Sequence, residues 1–334
     1  MLTVAPQLSP GHTIVQDVSQ LDAMVAEMRA QKVRALDFET SGLRFADGQL
    51  PIGAALGYLK PNGNVRAWYL PVAHQTMDRQ LPEEPAKRAF RDALKGAEGL
   101  VGHNLGFDIN MGRAGGWEIP KLTPLHDTII QAWLIDESRF FGLEKVVAQL
   151  NCSPYEGGAF HAKGMLDGFL KSRAKLHKLP LKKSKAGFYH SYLGRYGHAE
   201  VPVALEGEYA CRDIGHTLYL DWHQRHLAQG AHLRPRFQTA AANLYTYEML
   251  LVRALADMTY TGQLVDSDYL KQQAIELDAY LDVTGRELER QFGMRVRWGN
   301  DTDVAHLLYE VLKLPVVKLT KRKKPSVDKA ALMI

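Results

Sequence analysis

The sequence predicts an α/β domain built on a mixed sheet and followed by a helical segment, and three observations carry that reading. Two apolar runs, IGAALGYL at 52–59 and VRAWYL at 65–70, flank a Pro-Asn-Gly-Asn turn at 61–64, which is the signature of a β-hairpin. A third short run, VRALDF at 33–38, precedes them, and from about residue 83 helical and strand-like patterns alternate. From about residue 204 to 258 the apolar spacing is that of amphipathic helices.

Taken in order, 33–38 reads as a buried strand ending in acidic residues, and the hairpin follows at 52–70. A charged helix covers 83–96, and GLVGHN at 99–104 reads as a fourth strand running into a helix that starts near His103 or Asn104. The segment 160–200 is a partly helical excursion, and between Lys171 and Arg195 it is rich in Lys and Arg with no Asp or Glu. A composition break at Tyr260-Thr261-Gly262 marks a turn, and 267–291 reads as a long polar helix. The expected division is a first domain over 1–225 and a helical segment over 226–334.

Of the 334 residues 46% are hydrophobic and 23% charged, which allows a sizeable core. No run of about 18 apolar residues suggests a membrane span, and the N-terminus lacks the charged start and apolar block of a secretory signal. Cys152 and Cys211 are the two cysteines, too few for a disulfide framework or a C-x-x-C zinc site. Ordinary buried thiols in a reducing cytoplasm are expected. A net charge of +4 decides little. Its distribution says more, since Lys318, Lys321, Arg322, Lys323 and Lys324 fall within seven residues. Such a cluster suits a phosphate backbone, and equally a solvated surface.

Three acidic clusters carry candidate chemistry. In Asp37-Phe38-Glu39, residues two apart on a strand share a face, so Asp37 and Glu39 project together while Phe38 enters the core. Paired carboxylates at a strand end make a hard-oxygen cation site. In the helix after strand 99–104, Asn104 and Asp108 fall one turn apart; the alternative is a capping Asn104 and a surface Asp108. In Tyr209-Ala210-Cys211-Arg212-Asp213, i,i+4 spacing puts phenol and carboxylate on one helix face, as it would for a core Tyr beside a surface Asp.

Together the three reproduce, in order, the D-x-E, N-x-x-x-D and Y-x-x-x-D motifs of the DEDD exonucleases, with the Tyr of the DEDDy branch. The phrases ALDFET, VGHNLGFD, HDTIIQAWLID, GLEKVV and EYACRD, spread over roughly residues 30–225, resemble the proofreading exonuclease domain of family-A DNA polymerases. The resemblance implies a ribonuclease H-like sheet and a 3′–5′ exonuclease that hydrolyses DNA with two divalent ions, Mg²⁺ or Mn²⁺, about 4 Å apart. It further implies that Asp37 bridges the two metals, that Glu39 and Asp213 hold the ion that activates water, and that Asp108 supports the other. Tyr209 would position the attacking water. Thr40 and Leu43 would approach the 3′-terminal nucleotide, and Asn104 and Phe107 would line a single-strand groove, although Leu43 and Phe107 read equally well as core residues. Asp127 reads as structural, and His103 is assigned no chemistry.

Beyond residue 248 the chain resembles the start of a family-A polymerase thumb. Thr261-Gly262-Gln263-Leu264-Val265-Asp266 matches its G-x-x-V-D opening, and LLYEVLKLPVVKLTKRKKPSVDKAAL at 307–332 its later pattern. The resemblance implies that Lys321, Arg322, Lys323 and Lys324 meet duplex backbone. No palm or fingers segment is present, so polymerisation is not expected of these residues alone. A palm and fingers portion, in cis or in trans, is the expected partner beside single-stranded 3′ ends of DNA, in a compact, phage-like polymerase. Two other readings stand beside this one. One is an RNase D-like exoribonuclease, which shares the five residues but not the thumb-like segment. The other is a non-catalytic DNA-binding module.

Overall fold

The computed structural model describes residues 8–138, 140–179, 198–321, 323–328 and 331. Its chain divides into two compact units, Met1–Gly262 and Gln263–Ile334.

The first unit is built on a six-stranded mixed sheet. Its strands are β1 (His12–Ile14), β2 (Val33–Thr40), β3 (Pro51–Leu59), β4 (Val65–Pro71), β5 (Gly99–Gly102) and β6 (Leu125–Asp127), in the spatial order β1-β4-β3-β2-β5-β6. The expected hairpin is present, with β3 antiparallel to β4 and to β2. The remaining pairs, β1 with β4, β2 with β5 and β5 with β6, are parallel. Strands β1 and β6, three residues each, were too short to leave a periodic pattern in the sequence.

Alternation along β2 sends successive side chains to opposite faces. Leu36 and Phe38 enter a core with Met24 and Met28 of α1 (Leu21–Arg29), Phe90 and Leu94 of α2 (Glu83–Leu94), and Trp117. Helix α2 forms because Ala86, Ala89, Phe90, Ala93 and Leu94 make one apolar stripe, with Glu83 and Glu84 at its positive end and Arg91 near its negative end. Buried Arg34 ties these helix ends to β2, donating to the carbonyls of Arg29, Gln31, Ala93 and Lys95 at 2.7–3.0 Å. Burying side chains such as Leu36 and Phe90 is worth about 1.5–3 kcal/mol each.

On the other face, Ala35, Ala55, Ala67 and Val101 pack against Ala210, Cys211, Ile214 and Leu218 of α7 (Val203–Ala228). Small residues on the sheet let this long helix lie close. At Gly57 of β3 a side chain would run into Ile214. The odd-numbered face of β2, carrying Asp37 and Glu39, is thus the face that α7 covers.

Around these lie α3 (Leu105–Ala114), α4 (Thr128–Ile135), α5 (Leu143–Leu150), α6 (His161–Leu176) and α8 (Pro235–Thr261). Both cysteines are buried and free, and burial pushes the Cys152 thiol up to about 11. The compact units divide at Gly262 rather than at the 225/226 boundary expected for the domains. Helix α8 belongs to the first unit, burying Tyr245, Met249, Val252 and Ala256, and its Arg253 donates to the carbonyls of Pro120 and Thr123 at 2.8 and 2.9 Å. The continuous helical stretch read over 204–258 is two helices, broken where Gly230 takes a left-handed φ of 89° and Pro235 starts α8.

The second unit holds α9 (Ser267–Phe292), capped by Asp266 accepting from the Tyr269 N–H at 2.9 Å, and a short α10 (Asp301–Ala305) capped by Asn300. Leu307 is buried there, and the Tyr309 hydroxyl donates to the Ser326 carbonyl at 2.6 Å. No helix among the described residues is long and apolar enough to cross a membrane.

Candidate active site

Strand β2 delivers Asp37 and Glu39 to the face covered by α7, next to an irregularity in the β2–β3 pairing between Glu39 and Thr40. Asp37 is half-buried and Glu39 buried. Asp108, 1% exposed, arrives from the first turn of α3 and accepts the Phe38 backbone N–H at 3.1 Å. From α7, Tyr209 and buried Asp213 lie on one helix face and are hydrogen-bonded to each other. The reading of Asp108 as a surface residue is therefore excluded.

The start of α3 is organised differently from the sequence expectation. Asn104 precedes the helix with a left-handed φ of 74°, and its side chain makes no cap. Asp127 takes that role. Its carboxylate accepts from the N–H groups of Asn104 at 3.0 Å, Leu105 at 2.7 Å and Ile129 at 3.0 Å, binding the ends of α3 and α4 together. That agrees with the structural reading of Asp127. His103 is also structural. Its ring lies 2.7 Å from the Thr128 hydroxyl and 2.9 Å from the Phe141 carbonyl, and burial lowers its pKa to about 4.

The electrostatics of the cluster are those of crowded acids. Burial, then Glu39, Asp213 and Glu206, holds Asp37 well above the ordinary carboxylate range. Burial and Asp37 do the same to Asp108, and burial with Glu144 and Glu39 to Asp213. Glu39 rises to about 7 through burial and Glu206, with His198 pulling the other way. The Tyr209 phenol is pushed well above its usual value by burial and by Asp213.

Three groups were not found by the sequence motifs. Glu206, fully buried on α7, and His198 converge on Glu39. His198 Nδ1 lies 2.6 Å from Glu206 Oε1 and 3.3 Å from Glu39 Oε2. Burial opposes a charge on His198, but Glu206 and Glu39 hold its pKa well above the ordinary value. Buried Glu144 accepts from Lys163 of α6 at 2.6 Å. Ligand atoms of Glu39, His198 and Glu206 all lie within 4.8 Å of one another, a closeness that no trio drawn from the expected quartet reaches among the described residues. Glu206 falls three residues before Tyr209, a helical spacing that carried a signal; His198 stands in no such register.

The expected nucleic-acid contacts are distributed unevenly. Thr40 is buried, with its hydroxyl donating to the Gly42 carbonyl at 2.6 Å. Leu43 is 74% exposed, which excludes a core role, while Asn104 is exposed and Phe107 half-buried. Lys321, Lys323 and Lys324 are exposed on the second unit, and Arg322 lies outside the described residues. Of the basic excursion at 160–200, the described part is largely α6, and 180–197 lie outside the described residues.

Comparison with known proteins bears on this arrangement. Residues 12–160 match the family model of the 3′–5′ exonuclease of DNA polymerase A. That span includes Asp37, Glu39 and Asp108 and ends before Tyr209 and Asp213. The chain is 24% identical over 330 residues to DNA polymerase I of Pseudomonas aeruginosa, covering 98% of itself and 32% of that protein. It thus spans about a third of the relative's length. A solved structure, the POL domain of Pol1 from M. smegmatis in complex with DNA primer-template and dNTP, superposes with a TM-score of 0.56 at 17% identity, over 96% of this chain and 44% of that one. A weaker likeness, with a TM-score of 0.40, is to the catalytic core of RRP6 from Trypanosoma brucei, and it carries no argument. Residues 12–160 are thus similar to the 3′–5′ exonuclease domain of family-A DNA polymerases, and the fold of the chain resembles that of a solved polymerase of this kind.

Proposed function

We propose that this chain shortens DNA from its 3′ end, releasing nucleoside monophosphates with the help of divalent metal ions, as an exonuclease of the DEDDy branch. The observation that supports this reading best is the convergence of Asp37, Glu39, Asp108 and Asp213 from β2, α3 and α7, each with its pKa raised by burial and by acidic neighbours. Folding crowds these acids against their mutual repulsion, as functional sites do. The donor set fits Mg²⁺ or Mn²⁺: it is all oxygen and multiply charged, and buried Glu39 Oε1 has no hydrogen-bond partner. Asp37, Glu39 and Asp213 would hold one ion, and Asp37 with Asp108 a second. When bound, such ions supply a water of lowered pKa and neutralise charge on the phosphoryl oxygens.

The chain's own residues do the positioning. Tyr209 keeps its proton at neutral pH and donates it in hydrogen bonds, so it orients a water without deprotonating it. Leu43, exposed beyond the end of β2, would meet a base, with Asn104 and half-buried Phe107 at the start of α3 as further contacts; their exposure supports this reading. Apolar and aromatic contacts of this kind tolerate any base sequence. The likeness to a DNA polymerase over nearly the whole chain supports DNA over RNA as substrate and proofreading as the role, with palm and fingers in cis or in trans as partner.

The test is direct. A 3′-labelled single-stranded DNA is expected to be degraded with Mg²⁺ or Mn²⁺, faster than the matching RNA, and Asp37→Ala is expected to abolish this. Persistent activity in that variant would sink the assignment, and preferential cleavage of RNA would favour the exoribonuclease reading.

A further inference from the structure

Glu39 is held from outside the five residues that the motifs supply. His198 Nδ1 lies between two carboxylates, 2.6 Å from Glu206 Oε1 and 3.3 Å from Glu39 Oε2. The His198 backbone N–H also donates to the Thr40 carbonyl at 3.4 Å, fastening this segment to the end of β2. Its ring stands edge-on to Tyr209 with centroids 6.3 Å apart. Glu206 is fully buried on α7, and among the described residues its hydrogen-bond partner is His198. A buried carboxylate is costly unless a donor or cation meets it, so Glu206 and His198 stabilise each other in place.

The ring thus stands against both acids and meets the Glu39 carboxylate on its Oε2 side. Glu39 Oε1 is buried and has no hydrogen-bond partner. We propose that His198 and Glu206 are positioning residues that grip Glu39 by Oε2 and so leave Oε1 oriented as the oxygen that takes a divalent cation. The proposal rests on the exonuclease reading above. It adds a support chain running from α7 back to β2, the role that carboxylate–histidine partners play behind metal ligands.

The test uses the full chain, its His198→Ala and His198→Asn variants, and Mn²⁺ as the probe. Mn²⁺ affinity is read by electron paramagnetic resonance of the free ion, and release of nucleotide from 3′-labelled single-stranded DNA is followed in parallel. His198→Ala is expected to weaken Mn²⁺ binding by about 10–100-fold. It should lower turnover at limiting Mn²⁺, regain much of it at saturating Mn²⁺, and leave the KM for DNA and the number of ions bound unchanged. His198→Asn places an amide nitrogen with two hydrogens where Nδ1 stood, and is expected to restore affinity. Melting of the metal-free proteins shows that each variant is folded. Wild-type affinity in a folded His198→Ala chain, or an Asn variant no better than Ala, overturns the proposal. Loss of one whole ion in His198→Ala also overturns it, because His198 would then be a ligand. A wild-type chain that releases no nucleotide sinks the exonuclease reading instead, and the Mn²⁺ affinities still decide whether Glu39 is positioned this way.

Discussion

The Phe38 backbone N–H donates to the Asp108 carboxylate at 3.1 Å. That bond fastens α3 to β2 one residue from Asp37, and it places a helix acid beside two strand acids. Its two roles can be separated. Asp108→Asn keeps an acceptor for the Phe38 N–H but removes the charge. The expected outcome is a metal-free melting temperature at or above that of the wild type, because Asp108 too is held above its ordinary value by burial and Asp37, with nuclease activity reduced by about 100-fold or more, the scale of losing a preorganised electrostatic group. Asp108→Ala leaves the N–H unmet as well, which costs about 1–3 kcal/mol of stability. Thermal melts and nucleotide release measure the two effects, and full activity in the Asn variant would remove Asp108 from the metal-binding set.

Crowding of the acids predicts a pH-dependent stability in the absence of metal. Asp37 is held well above its ordinary value by burial first and then by Glu39, Asp213 and Glu206. A carboxyl whose folded pKa exceeds its unfolded one costs nothing below the unfolded value of 3.8, and costs more as pH rises above it, because unfolding then releases a proton. Asp37→Asn carries no charge at any pH. Its melting temperature without metal is expected to exceed the wild type's by an amount that grows from about pH 4.5 to about pH 8. Buried His103, His126 and His216, each lowered to about 4 by burial, bring a penalty of the opposite sense on acidification. They are common to both proteins and cancel in the difference. Mn²⁺ is expected to raise the wild-type melting temperature more than the variant's. A variant that melts below the wild type at alkaline pH would contradict the crowding argument.

Much of this arrangement is legible in the sequence because it rests on short-range periodicity. The two-residue repeat puts Asp37 and Glu39 on one face of β2 and Phe38 in the opposite core, and the four-residue repeat pairs Tyr209 with Asp213 on α7. Legibility fails where the chain departs from its period or where contacts are distant in sequence. The N-x-x-x-D spacing suggests a helical pair, yet Asn104 sits in a left-handed conformation ahead of α3, and a carboxylate from β6, Asp127, does the capping. His198 reaches Glu39 from a far part of the chain that bears no motif. The break between α7 and α8 was signalled by Gly230 and Pro235, but the apolar spacing runs through both.

Tyr209 gives a prediction about mechanism. Its phenol is pushed well above the usual value by burial and by Asp213, so it holds its proton throughout the working pH range. Tyr209→Phe removes the hydroxyl and little volume. Turnover is expected to fall by about 10–100-fold, toward the lower end of losses typical of a missing catalytic group, with little change in KM. The shape of the pH–rate profile should be unchanged, because no titration of the phenol is involved. Disappearance of an alkaline or acidic limb in the Phe variant would show instead that the phenol transfers a proton.

The basic cluster of the second unit is testable through salt. Lys318 is engaged by Asp328 at 2.7 Å, whereas Lys321, Lys323 and Lys324 are exposed side chains in the turn that follows. If that turn meets duplex backbone, each lysine that neutralises a phosphate adds about 0.9 to the slope of log affinity against log salt. Replacing all three by Ala is therefore expected to lower duplex affinity at low salt and to flatten the slope by about 2–3. Lys318→Ala should change it less, since its charge is already compensated. Binding is measured by fluorescence anisotropy on a labelled primer-template across a salt series. The same triple variant should still degrade single-stranded 3′ ends, because the acids and Tyr209 belong to the other compact unit. An unchanged slope would mean that the cluster is a solvated surface, and duplex contact would then have to be sought elsewhere on the chain.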